Sequence, residues 1–266
     1  MMPWSGFVVV EAAEARLQRI GRSVADSDLV FEWSRRLWLP ISRSPRLFPT
    51  MVRLQRRRKN VPASPGVAIV IDGFPRSANT FSARAFEFAN PGVVVSHHMH
   101  APASILLGVQ HRIPTVVLIR PPVDAVLSEV IREPRKRLRR ALVEWNSFYG
   151  LVRPVLDQVV VADFATVTSD YSLVIDEVNR RWGTSFEAYR NTPDSDNEVF
   201  AVIEATARSR GKTGSRLETQ VPRPSQTRAK QKPALQAELD RPGLRPLVDQ
   251  AQKLYAEFLA VAPRPS

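Results

Sequence analysis

An apolar run, VAIVI (67–71), leads directly into DGFPRSANTF (72–81), a segment that could bind an anion. A strand, a tight loop and the start of a helix together bring backbone N–H groups around a phosphate. Arg76 lies inside the loop and adds a positive charge to these groups. The segment therefore predicts an anion-binding loop with an arginine at its centre.

The same loop lacks the lysine that contacts the terminal phosphates of ATP. In the pattern GxxxxGK[ST], Gly73 falls on the first glycine and Thr80 on the hydroxyl position. Ala78 and Asn79 replace the second glycine and the lysine. Because Arg76 lies in the loop instead, we expect the bound anion to differ from the β,γ end of ATP.

A second arginine and a serine follow the apolar run TVVLI (115–119) at a spacing that suits a phosphate. Arg120 leaves the predicted strand, and Ser128 lies eight residues later in the next helix, with Pro122 and Asp124 between them. Two side chains at these places can converge on one phosphate group. We therefore expect a second phosphate site that contains Arg120 and Ser128.

Together the two segments resemble the sulfotransferase family that uses 3′-phosphoadenosine 5′-phosphosulfate. In this family a PKSGTT or PRSGTT loop binds the 5′-phosphosulfate, and an RxPxDxxxS segment binds the 3′-phosphate. The resemblance implies that Arg120 and Ser128 bind the 3′-phosphate. It places these residues at the 5′-phosphosulfate: Arg76, Ser77, Ala78, Asn79, Thr80 and Phe81. The departures from the family pattern are Ala78 for glycine and Asn79 for threonine.

Two further segments extend the resemblance. SHHMHAPAS (96–104) lies where the family has KTHxP, whose histidine deprotonates the acceptor hydroxyl; His100 matches it, with Arg76 as its catalytic partner at the leaving phosphate. His98 falls on the lysine position and could serve as the base instead. SRGKTG (209–214) resembles the RKGxxG element that closes over the 3′-phosphate, which implies that Arg210 and Gly211 contact it.

The elements that must position these residues alternate between strands and helices. This order predicts an α/β fold: a three-layer parallel sheet with helices on both faces. The resemblance implies the P-loop nucleoside-triphosphate-hydrolase-like sulfotransferase fold. Apolar runs predict strands at 67–71, 93–96, 115–119 and 158–164. Helical spacing predicts helices at 78–89, 102–110, 122–132, 138–151, 171–182 and 234–260.

The chain divides into a basic arm and one main domain. Residues 1–60 hold 12 Lys and Arg against 5 Asp and Glu, with Trp33, Trp38 and Phe48 among prolines, and are expected to form an appended arm. This arm could lie on anionic lipid or pack on the sheet. Residues 61–266 form the sulfotransferase-like domain, in which the polar stretch 209–233 is expected to be a mobile lid.

Composition narrows the classes of function. Zero cysteines exclude disulfides, thiolate metal sites and cysteine nucleophiles. The sequence has no uninterrupted run of about 18 apolar residues, so it predicts no membrane span. We therefore expect a cytoplasmic protein that could also lie at the membrane surface. A formal charge of +12 favours anionic partners, although a general arginine bias would produce the same value.

These observations lead to one hypothesis and two alternatives. The hypothesis is sulfuryl transfer from 3′-phosphoadenosine 5′-phosphosulfate to a small-molecule, lipid or carbohydrate acceptor. No metal is expected, because no Mg²⁺-binding carboxylate follows the nucleotide-binding pattern. The alternatives are a P-loop small-molecule or nucleotide kinase, and a non-catalytic module that binds a nucleotide or, less in keeping with the motifs, nucleic acid. Nothing in the sequence predicts the acceptor or the oligomeric state.

Overall fold

A computed structural model describes residues 40–54, 61–209, 211, 214 and 226–264. Four parallel strands form one sheet in this described part of the chain, in the order β2, β1, β3, β4. The strands are β1 (Ile69–Gly73), β2 (Val95–His97), β3 (Thr115–Ile119) and β4 (Val160–Asp163). The prediction of an α/β fold with a parallel sheet is therefore confirmed.

Helices follow each strand and cover both faces of the sheet. They are α1 (Phe48–Leu54), α2 (Asn79–Ala89), α3 (Pro102–Gln110), α4 (Pro122–Arg132), α5 (Leu138–Val152), α6 (Phe164–Ser169), α7 (Ser172–Trp182), α8 (Pro193–Ser209), α9 (Gln226–Leu239) and α10 (Arg245–Ala260). A 3-10 helix covers Arg153–Gln158. Every residue of β1 and β3 is buried, which explains why both strands are continuous apolar runs.

Alternate residues of the strands face two separate hydrophobic layers. Ile71 and Leu118 pack with Phe86 of α2 and Val174 of α7 on one face. On the opposite face α3 lies so close that a Cβ at Gly108 would stand 3.0 Å from Val70 Cγ2. Helix α5 shares this face with α3. The two layers of helices hold β1 and β3 rigidly, and these are the strands that carry the two motifs.

Strand order places the two motifs side by side. β1 pairs with β2 on one side and with β3 on the other, so the chain reverses its direction of winding at β1. Ligands of open parallel sheets bind at such a point, beyond the carboxyl ends of the strands. The loops that follow β1 and β3 are therefore neighbours, as the sequence analysis requires.

The carboxyl-terminal third differs from the predicted elements. Helix α8 was not expected, although Pro193 opens it and Asp194 and Asp196 lie in its first turn. Helix α9 begins at Gln226, so the loop predicted over 209–233 is wrong for 226–233. The single helix predicted at 234–260 is broken into α9 and α10, because Pro242 and Gly243 disfavour helix between them. The lid residues 210, 212, 213 and 215–225 lie outside the described part.

The contacts between residues divide the chain after Ile41, whereas the sequence analysis places the boundary after residue 60. Residues from Ser42 onward form one compact unit with the α/β domain. Phe48 of α1 is fully buried in it. Residues 1–39 and 55–60 of the predicted arm lie outside the described part. No helix of the described residues has the length and apolar character needed to cross a membrane.

Gly73 is required where β1 passes β3. A Cβ at this position would lie 2.2 Å from Leu118 O, a backbone atom that cannot move without separating the strands. We expect Gly73→Ala to lower the free energy of unfolding by about 3 kcal/mol, as overpacking does in a rigid core. Urea denaturation followed by circular dichroism measures the change.

Gly150 provides the matched control. It lies within α5, and a Cβ added there would meet nothing within 4 Å. Gly150→Ala should therefore raise the free energy of unfolding by about 0.5 to 1 kcal/mol through helix propensity. Equal effects of the two substitutions would show that the close approach of β1 to β3 is unimportant.

Candidate functional site

The two motifs that the sequence analysis predicts to bind anions are joined by direct hydrogen bonds. Arg76 Nε donates to Ser128 Oγ at 2.9 Å, although the residues lie 52 positions apart. Arg120 Nη1 donates to the backbone oxygen of Arg76 at 3.2 Å. The guanidinium of Arg120 also lies over the ring of Phe164, 4.2 Å from its centroid. The side chains from the loops after β1 and β3 thus form one cationic cluster.

Helix α2 begins inside this cluster. Its N-cap residue is Ala78, whose side chain cannot accept a hydrogen bond from the first turn. The first N–H groups of any helix lack intrahelical partners and attract an anion. Ala78 has φ 66° and ψ 13°, the left-handed conformation for which glycine is the usual choice. The alanine therefore holds a backbone shape that favours glycine, at a cost in strain.

The side chain of Asn79 braces the loop. Its Nδ2 donates to Phe74 O at 2.9 Å, and the residue is only 4% exposed. The structure therefore places the Asn79 side chain within the loop, at the first residue of α2. The hydrogen bond of Asn79 thus closes the loop between the end of β1 and the start of α2.

Ser77 and Phe81 face the interior. Ser77 Oγ lies 3.5 Å from the hydroxyl of Tyr149, which itself donates to Leu118 O at 2.8 Å. Phe81 packs against Tyr189 and Phe200. The side chains of these two predicted ligands thus anchor the loop to the core, and the backbone N–H of Ser77 donates to Phe74 O at 3.3 Å.

His100 has the geometry of a general base. Its backbone N–H donates to Asp72 Oδ1 at 3.1 Å, and its Nδ1 lies 3.0 Å from Gly73 O. A carbonyl oxygen can only accept, so the hydrogen of a neutral imidazole is on Nδ1 and the basic lone pair is on Nε2. Asp72 Oδ1 lies 3.8 Å from Nδ1 and can stabilise the protonated ring.

His98 is placed differently, and both of its ring nitrogens are in contact with neighbours. Its Nε2 lies 2.8 Å from Thr80 Oγ1, and its Nδ1 lies 2.6 Å from His97 Nδ1. Burial holds the pKa of His98 well below its usual range, and the neighbouring charge of His100 lowers it further. These contacts favour His100 over His98 as the base.

Asp72 belongs to the site, although the sequence analysis gave it no role. It is fully buried at the end of β1, where Oδ1 accepts from the N–H groups of Gly73 and His100. Its Oδ2 has no hydrogen-bond partner among the described residues. Burial raises the pKa of Asp72 to about 7, against the opposing effect of these N–H donors. A carboxylate at the end of an otherwise apolar strand was the signal in the sequence.

The raised pKa of Asp72 predicts a pH-dependent stability. Between the usual pKa of 3.8 and the folded value of about 7, the folded protein holds a proton that the unfolded chain releases. Stability from this group is therefore present at acidic pH and lost as the pH rises through about 7, with a slope of at most about 1.4 kcal/mol per pH unit. Asp72→Asn should remove this slope.

Urea denaturation of both proteins at a series of pH values measures the slope. Asp163→Asn is the control, since the carboxylate of Asp163 at the end of β4 is not fully buried. If wild type and Asp72→Asn show the same dependence on pH, the carboxyl of Asp72 does not titrate in this range.

Strained backbone is concentrated at this site. Five non-glycine residues of the described chain have left-handed φ values, and four of them surround the cluster: Arg76 (71°), Ala78 (66°), His98 (58°) and His100 (51°). Each costs free energy that the surrounding bonds must offset, and such residues are common where ligands bind. The strain supports a functional role for the loops after β1 and β2.

The remaining predicted residues are described only in part. Arg210 lies outside the described residues. Gly211 is an exposed turn residue whose N–H donates to Arg208 O. Asp124 lies in the first turn of α4 and pairs with Lys232 of α9 at 3.1 Å. In the described ranges no group of three or more His, Asp and Glu side chains could hold a metal ion.

Comparison with known proteins adds no assignment to this geometry. The sequence matches none of the protein-family models against which it was compared, and no curated protein matches it.

Proposed function

We propose that the protein transfers the sulfuryl group of 3′-phosphoadenosine 5′-phosphosulfate to a hydroxyl or amine acceptor, with His100 as the general base. The observation that carries the proposal is the direct bonding of the two motifs, Arg76 to Ser128 and Arg120 to Arg76 O. A donor with phosphates at its 3′ and 5′ positions needs two adjacent anion sites. The spacing of the motifs predicted such a pair from the sequence.

The groups around the cluster suit this donor. Arg76 and Arg120 supply two guanidinium groups, Ser128 and Thr80 supply hydroxyl groups, and the N-terminus of α2 supplies backbone N–H donors. Cations and N–H groups of this kind bind phosphate and sulfate oxygens. The carboxyl of Asp72, by contrast, is buried beneath the loop and accepts from backbone N–H groups.

The residues divide the chemical work between them. The donor supplies an activated sulfuryl group when bound. Arg76 and the N–H groups of α2 stabilise negative charge on the leaving phosphate. His100 Nε2 accepts the proton of the acceptor, and the carbonyl of Gly73 keeps the opposite nitrogen protonated. When ionised, above the raised pKa of about 7, the Asp72 carboxylate stabilises the imidazolium that forms, 3.8 Å from His100 Nδ1.

The acceptor is a small molecule, lipid or carbohydrate in this proposal. The net charge of +12 favours an acceptor or a surface that carries negative charge. Incubation with labelled 3′-phosphoadenosine 5′-phosphosulfate and a metabolite extract, followed by identification of the labelled product, would find the acceptor class.

Binding of adenosine 3′,5′-bisphosphate tests the donor site. We expect calorimetry to detect binding, and Arg120→Ala to weaken it by about 10- to 100-fold, the value of a charge-assisted hydrogen bond. Arg180→Ala is the control, because Arg180 is exposed on α7 and its ion pair with Glu177 is local to that helix. Absence of binding by the wild-type protein would contradict the proposal.

A further inference from the structure

Four side chains form a continuous chain of contacts from the surface of α2 to the anion-binding loop. Glu87 Oε1 lies 3.3 Å from His97 Nε2, and His97 Nδ1 lies 2.6 Å from His98 Nδ1. His98 Nε2 then lies 2.8 Å from Thr80 Oγ1. Thr80 is the second residue of α2, where the proposed donor would bind.

With His98 neutral, as its lowered pKa requires, the hydrogens along this chain have two consistent arrangements. The carboxylate of Glu87 accepts, so His97 carries a hydrogen on Nε2. If His97 is neutral, its Nδ1 must accept from His98 Nδ1–H. His98 Nε2 then accepts from the Thr80 hydroxyl, which has no hydrogen left for an anion.

The second arrangement holds one more proton. The bridging hydrogen moves from His98 Nδ1 to His97 Nδ1, and a proton from solvent joins His98 Nε2. His97 is then a cation beside Glu87, while His98 stays neutral and donates to Thr80 Oγ1. In this arrangement, unlike the first, the Thr80 hydroxyl can donate to an anion at the start of α2.

We propose that Glu87, His97 and His98 form a proton relay that couples anion binding at Thr80 to the uptake of one proton. The inference rests on the proposed function, because it assumes that an anion binds at the N-terminus of α2. His97 and His98 are positioning residues in this relay, since they act on the anion through the direction of the Thr80 hydroxyl.

The surroundings place the added charge on His97. Burial holds the pKa of His98 well below its usual range, whereas the His97 side chain is 14% exposed and adjoins a carboxylate. Burial raises the pKa of Glu87, but the bond to His97 and the charge of Arg84 lower it more, so Glu87 stays ionised. The charged and titratable groups that face the pair are Glu87 and Arg84 of α2, Arg132 of α4 and His100.

Nitrogen NMR of the imidazole rings tests the relay directly in the full chain, which contains four histidines. Sulfate is the probe, because its charge stays constant around neutral pH. Without sulfate we expect hydrogens on His98 Nδ1 and His97 Nε2. Saturating sulfate should move the His98 hydrogen to Nε2 and protonate both nitrogens of His97. Because one proton is taken up with the anion, the sulfate dissociation constant should rise with pH, by at most about tenfold per pH unit.

Two variants separate the relay from general effects of an anion. Thr80→Val should still shift the loop amides of residues 77–80 on sulfate addition, but the hydrogen should stay on His98 Nδ1. His97→Gln cannot take up the proton, so sulfate binding should depend less steeply on pH than in the wild-type protein, with only the contribution of His100 and Asp72 left. An unchanged backbone amide spectrum elsewhere in the chain confirms that each variant is folded.

The outcomes distinguish this inference from the proposed function. If sulfate shifts the loop amides of the wild-type protein while His98 keeps its hydrogen on Nδ1, the relay is wrong and the donor site stands. If neither sulfate nor adenosine 3′,5′-bisphosphate shifts those amides, there is no anion site at α2, and both proposals are wrong.

Discussion

Replacement of His100 by alanine is expected to lower the rate of sulfuryl transfer by a factor of about 10² to 10⁴, the usual contribution of a general base. The ring supplies the basic Nε2, because Nδ1 is committed to Gly73 O. The backbone N–H of residue 100 still donates to Asp72 Oδ1 in the variant, so the loop keeps its anchor. Binding of adenosine 3′,5′-bisphosphate should therefore change by less than about threefold.

His111→Ala is the control for loss of a histidine. His111 lies at the exposed end of α3, outside the site. Rates are measured with labelled donor and the acceptor found in the metabolite screen, with and without added imidazole, which should partly restore His100→Ala. Full activity of His100→Ala would mean that another residue is the base, and His98 would be the first residue to test.

Replacement of Arg76 by alanine should lower transfer by about 10² to 10³, the loss found when one donor to a developing charge is removed. The loop should keep its shape, because Arg120 bonds to the backbone oxygen of residue 76 and not to its side chain. The guanidinium adjoins Ser128, so binding of the bisphosphate should also weaken, by about tenfold. Transfer should thus fall further than binding.

Arg76→Lys separates charge from geometry. Lysine keeps the positive charge but lacks the planar fork of guanidinium, so we expect a rate between those of wild type and Arg76→Ala. Single-turnover rates and calorimetry on the three proteins supply both quantities. An equal loss of binding and transfer in Arg76→Ala would mean that Arg76 holds the donor without stabilising the leaving group.

The parts of the site that follow from local sequence were predictable. Apolar runs of five residues mark β1 and β3, and each is followed at once by an arginine-containing loop. Parallel strands end at one edge of a sheet, so Arg76 and Arg120 were expected at the same edge. Their direct proximity depends on the pairing of β1 with β3, which the sequence analysis did not predict.

Contacts that depend on tertiary packing were not predictable. Nothing in the sequence indicated that the side chain of Asn79 would donate to Phe74 O, or that the ring of His98 would contact the hydroxyl of Thr80. Tyr149 had the spacing of an ordinary core residue, and only packing brings its hydroxyl to Leu118 O. Pro233 argued against helix at a place where α9 nevertheless continues.

The braces of the loop after β1 also bear on the kinetics of binding. Asn79 holds Phe74 O, and Arg120 holds the backbone oxygen of Arg76, so the shape of the loop is set by bonds within the chain. Capture of an anion then requires no slow rearrangement of this segment, and encounter is governed by diffusion and by attraction to the positive charge. Selectivity between different anions is then determined by their dissociation rates.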